Sequence, residues 1–122
     1  MIIDFHTHVF PDRIAEKTID LLSKNGGIPP FSDVPVNGLR KRMKEACTDI
    51  SVTLPVMTNP TQFDSINNFA KGINEAFKNE SPRLISFAGI HPDCENIDKK
   101  MAFIRKADFS ELRSTPIIRE RI

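Results

Sequence analysis

Residues 1–8 read MIIDFHTH, and their pattern decides the fold. Strand side chains alternate with period two. Ile2, Asp4, His6 and His8 then fall on one face, and Ile3, Phe5 and Thr7 on the other. Two further runs have the same character: ISVTLPV at 50–56 and LISFAGIH at 84–91. Their β-branched content favours strands, and Pro55 limits how far the first of them can pair. Helical patterns separate the three. Pro11 and Asp12 mark a helix start; Ile14, Thr18, Ile19, Leu21 and Leu22 follow at helical spacing, and Asn25-Gly26-Gly27 ends it. Residues 28–36, IPPFSDVPV, hold three prolines and predict an ordered, lid-like loop. Asn37 is placed to cap a short helix with Leu39, Met43, Ala46 and Cys47 on its apolar side. Pro60 starts a longer helix in which Phe63, Ile66, Phe69, Ala70, Ile73, Ala76 and Phe77 form an amphipathic stripe. After the third strand, Asn96 opens a helix carrying Ile97, Met101, Phe103 and Ile104.

The order β-α-α-β-α-β-α predicts an α/β fold with a parallel sheet covered by helices. It fits the first three units of a (β/α)8 barrel and equally the start of a doubly wound sheet. The chain has 122 residues, enough for one domain. With 39% hydrophobic and 27% charged residues it reads as an ordinary globular protein. The formal net charge of +1 excludes a polybasic nucleic-acid binder. No apolar run approaches the roughly 18 residues of a membrane span. Asp4, His6 and His8 among the first ten residues do not suit a signal peptide. Cys47 and Cys94 lie far apart without a CxxC motif, so free thiols in a reducing cytoplasm are expected.

The chemistry concentrates at His6-Thr7-His8. Histidines at i and i+2 on a strand project to one side, about 6–7 Å apart at Cβ. An ion about 2.0–2.1 Å from each imidazole nitrogen bridges that gap. An HxH pair taken alone is commonly incidental. Here two of the three histidines end a first strand and the third, His91, ends another, and the C-terminal ends of strands are where barrel enzymes place their chemistry. His6 and His8 are therefore the candidate metal ligands. Imidazole suits zinc, and also iron, nickel or cobalt. Asp4, in phase with both, is a candidate to orient an imidazole or to face a barrel core. His91, in Gly89-Ile90-His91-Pro92-Asp93, is a candidate on the same rim; its alternative is to close its own turn. Cys94 reads as a bystander thiol, and Arg40-Lys41-Arg42 as a solvated helix face.

The opening MIIDFHTHVFPD, then DISVTLPV, then ISFAGIHPD, resembles the N-terminal part of the amidohydrolase-related family of metal-dependent hydrolases. The likeness covers residues 1 to about 109 and is most specific at His6-Thr7-His8 with Phe10-Pro11-Asp12. TatD-type deoxyribonucleases and PHP phosphoesterases share the opening; the Phe-Pro-Asp favours the amidohydrolase-related group. The resemblance implies a (β/α)8 barrel with one or two divalent ions, His6 and His8 as first-strand ligands, and a small-molecule substrate. It implies hydrolysis of an amide, lactone or related bond, or in some members decarboxylation. The family's further ligands and acid–base groups come from strands four to eight, for which this chain offers no sequence. A whole barrel takes about 250 residues, so the expectation is a partial hydrolase barrel over 1–109.

Residues 110–122, SELRSTPIIRERI, break the pattern where a fourth strand is due, and an irregular tail is expected. Permitted codons for this tail, read in the alternative frame, give Gly-Ile-Lys-Val-His-Pro-Asp-Tyr-Gln-Gly-Ala-Asp, a strand-like run with another His-Pro-Asp. A frameshift near Phe109 is one expectation from this; a short or shortened protein is the other. Three functions compete: a metal-dependent hydrolase in the intact parent, an inactive truncated product, and a small metal-binding module assembled as a dimer. An open arc of strands leaves an unpaired edge, a template for self-association.

Overall fold

A computed structural model describes residues 1–11, 24, 35–107 and 118–119. Lys24 is helical; the rest of the helix expected from Asp12, and the proline-rich loop up to residue 34, lie outside the described residues. Three strands form one sheet in the order β1-β2-β3: β1 (Ile3–Thr7), β2 (Ile50–Thr53) and β3 (Arg83–Ser86). Both pairings are parallel, so each connection must cross over the sheet, usually by a helix. Between β1 and β2 stands α1 (Val36–Glu45), and α2 (Phe63–Phe77) joins β2 to β3. The α/β class and parallel sheet are as expected. A final helix, α3 (Ile97–Lys106), follows β4 (Gly89–Ile90).

The core divides by sheet face. Leu84 packs with Met43 of α1 and Ile73 of α2, together with Val9. Val52, Leu54 and Phe87 form a separate cluster. Val52 lies in register with Ile85, the neighbour of Leu84, so alternation puts the two clusters on opposite faces. A third cluster joins Met57, Phe63, Ala88, Ile90, Cys94 and Ile104, tying α2, β4 and α3 together. β2 is central and buried over Ser51–Leu54, whereas every residue of β1 before Thr7 is exposed.

Several local expectations are corrected. Ile3 and Asp4 pair with Ile50 and Ser51, but Thr7 pairs with Thr53. Three steps on β1 thus span two on β2, a β-bulge that breaks strict alternation across residues 2–8. LISFAGIH is not one strand: β3 stops at Ser86, and β4 pairs in parallel with β5 (Ile118–Arg119) in a separate sheet. α2 meets the backbone at both pieces. The Asn74 amide donates to Ser86 O and accepts from Ser86 N–H. The Asn67 amide does the same at Gly89, at 2.9 Å each way. Two asparagines seven residues apart stand on one helix face and take up backbone groups that a neighbouring strand would otherwise pair. Asn67 is 0% exposed, a position that a stripe of apolar residues overlooks; Ala76 of that stripe is exposed.

The remaining corrections concern helix ends. α1 begins at Val36 behind an extended Pro35, with no side-chain cap from Asn37. It stops at Glu45, and Cys47 adopts φ 55°, so Ala46 and Cys47 are exposed, off the apolar face. Asn59 instead makes a reciprocal cap with Gln62 at the short 3-10 turn Pro60–Gln62 that leads into α2. Arg40 is not wholly solvated: it pairs with Glu80 at 3.2 Å and lies 4.8 Å over the Phe77 ring. In the tail expected to be irregular, Ile118–Arg119 form a strand; the rest of 110–122 lies outside the described residues. Among the described residues no helix is long and apolar enough to cross a membrane.

Candidate metal centre

The end of β1 is pinned to β2 from both sides. Thr7 Oγ1 donates to Val52 O at 2.9 Å, and Leu54 N–H donates to Thr7 O at 2.8 Å. These bonds hold the residues flanking Thr7. As expected for positions i and i+2, the two rings project to one side. The His6 and His8 rings sit 5.0 Å apart, centroid to centroid, nearly perpendicular. Their Nε2 atoms approach to 3.1 Å. His6 is exposed and His8 half-buried, so the pair lies at the surface, at the C-terminal end of the strand.

The hydrogen bond on the far side of His8 sets its chemistry. His8 Nδ1 lies 2.7 Å from Leu54 O. A carbonyl only accepts, so Nδ1 carries the proton, and in the neutral ring Nε2 presents its lone pair towards His6. A backbone carbonyl behind a ligating imidazole is the usual arrangement for fixing tautomer and ring direction. β2 ends at Thr53, which leaves the Leu54 carbonyl beyond the ladder and available. Sequence reasoning missed this partner because a carbonyl has no residue signature; Pro55, which limits the strand there, was the available signal.

The donors fit a shared ion. With metal–nitrogen distances of about 2.0–2.1 Å, a nitrogen separation of 3.1 Å subtends about 95–100° at an ion bound to both. That angle lies between octahedral and tetrahedral values. Asp4 does not touch either ring: its Oδ1 accepts from His6 N–H at 3.1 Å. His91 stands apart in its own turn, where Nδ1 accepts from Asp93 N–H at 3.1 Å and lies 3.8 Å from Asp93 Oδ2. The His91 carbonyl accepts from Cys94 N–H, and Cys94 is buried with Sγ 3.7 Å from Pro60 O. Among the described residues no group of three His, Cys, Asp or Glu side chains is placed to hold a metal. The sequence-predicted pair is thus brought together, and Asp4 and His91 are not brought to it as donors. No family model, curated protein or solved structure matches the chain.

Proposed function

We propose that this chain is the N-terminal part of a metal-dependent hydrolase of the amidohydrolase type, a partial (β/α)8 barrel whose His6 and His8 hold a divalent ion, zinc by preference. The observation that carries the reading is the 3.1 Å approach of the two Nε2 atoms with the Leu54 carbonyl fixing one of them as a lone-pair donor. When bound, zinc polarises a substrate carbonyl and acidifies water for attack on an amide, lactone or related bond. Within the chain, Leu54 O holds the His8 ring in place, and the Thr7 bonds to β2 keep both imidazoles at the strand end. Asp4 braces the backbone between them and the strand. The substrate is a small molecule rather than nucleic acid or membrane. A reducing, cytoplasmic setting suits two free thiols, Cys47 exposed and Cys94 buried.

The metal half of the proposal is tested by stripping the protein with chelator and titrating zinc by calorimetry. Saturable binding that His6→Ala and His8→Ala each abolish is expected. No binding, or binding unchanged by either substitution, overturns it. The family half is tested by the DNA beyond codon 109. Ligand histidines and a late-strand aspartate, in any frame, support the hydrolase; a downstream sequence without them refutes it.

A further inference from the structure

We infer that a divalent transition-metal ion joins two copies of this chain, each copy supplying His6 and His8 to a four-nitrogen shell. The inference rests on the metal-binding half of the function proposed above. Structural zinc sites close with four protein donors, and catalytic ones keep three plus an open position. His6 and His8 supply two: their Nε2 atoms lie 3.1 Å apart, the Leu54 carbonyl fixes the His8 tautomer, and one ion takes both rings once His6 also turns a lone pair on Nε2 towards it. Among the described residues no third His, Cys, Asp or Glu joins them. Asp4 faces its own backbone, and His91 is engaged with Asp93.

The position of the pair identifies the occupant. Among the described residues β1 has one sheet neighbour, β2, and stands at the edge of their sheet. Its apolar residues are uncovered: Ile3 is 42% exposed and Phe5 63%. An edge of this kind invites pairing with another chain. A second copy offers the same surface, and a two-fold axis through the ion brings two donors from each side. A tetrahedral shell contains that two-fold axis, so two plus two donors fill it, flattened by the about 95–100° that each 3.1 Å pair subtends. A shell closed by four imidazoles leaves no position for water, so the ion in this assembly is a structural bridge and performs no hydrolysis.

The experiment is sedimentation of the full chain, chelator-stripped and then titrated with zinc chloride up to one ion per chain, with calorimetric stoichiometry in parallel. The expected result is a monomer without metal, a doubling of mass with zinc, and an endpoint of one zinc per pair of chains. Chelator should return the monomer, and His6→Ala should lose both zinc and the mass increase. Circular dichroism of His6→Ala checks that this exposed position leaves the fold intact; the chelator reversal needs no variant at all. One zinc bound to a monomer overturns the bridge and leaves metal binding by the pair standing. A dimer that forms without zinc and persists in His6→Ala overturns the bridge as well. Absence of any zinc binding overturns both readings.

Discussion

Replacing Asn67 by leucine tests whether the α2 amides hold the third strand region to the helix by hydrogen bonding or by packing. The Asn67 side chain is 0% exposed, and three bonds of 2.9 Å leave it. Phe63 O keeps its place within the helix on substitution, so the relevant loss is at Gly89. There a buried N–H and C=O both lose their partner. A buried backbone group left unpaired costs about 1–3 kcal/mol, and leucine, with the same branching and number of side-chain heavy atoms, leaves no cavity and admits no water. The two groups together predict a loss of about 2–6 kcal/mol. At about 4 °C per kcal/mol for a domain of this size, the melting temperature falls by about 8–24 °C. Thermal melts and urea titrations of Asn67→Leu and Asn67→Ala measure it. Leucine should be no better than alanine, because neither pairs with Gly89. Recovery of stability by leucine to within about 0.5 kcal/mol of the parent would refute the hydrogen-bonding account and leave packing as the explanation.

Further outcomes follow from the same contacts. Leu84, 1% exposed between Met43 and Ile73, should cost about 2–5 kcal/mol when cut to alanine, read from the urea midpoint. Gly89→Ala places a Cβ 3.3 Å from Pro55 Cβ; a ring atom cannot swing away, so overpacking of about 1–3 kcal/mol is expected, and an unchanged melt would show that β4 shifts freely. Zinc at a hundred times its dissociation constant should stabilise the chain by about 2.7 kcal/mol, seen as a thermal shift that His6→Ala removes.

The helices and strands were largely legible because their signals are local. Apolar spacing placed α2, and β-branched runs placed β2 and the start of β3, within a few residues. The division of LISFAGIH was not legible. It depends on Asn67 and Asn74, whose sequence neighbourhood says only that polar residues interrupt a stripe; their partners are Ser86 and Gly89. The β1 bulge was equally hidden, since register is a property of two strands. At the site, the histidines could be picked out by type and spacing. The Leu54 carbonyl that orients His8 lies 46 residues away and belongs to the backbone, which every residue possesses.

What the sequence determined alone was the set of parts: three β-rich runs, the helices between them, and two imidazoles spaced to act together at the end of the first run. Each follows from side-chain chemistry and a local period of two or 3.6. What the tertiary structure decided was how those parts address one another. The His6 and His8 rings sit beside the end of β2 because Thr7 between them is pinned there, and one ring has a defined tautomer because the Leu54 carbonyl, just past β2, stands behind it. Placement against β2 and the tautomer depend on distances between segments far apart in the chain, and no local pattern encodes such distances.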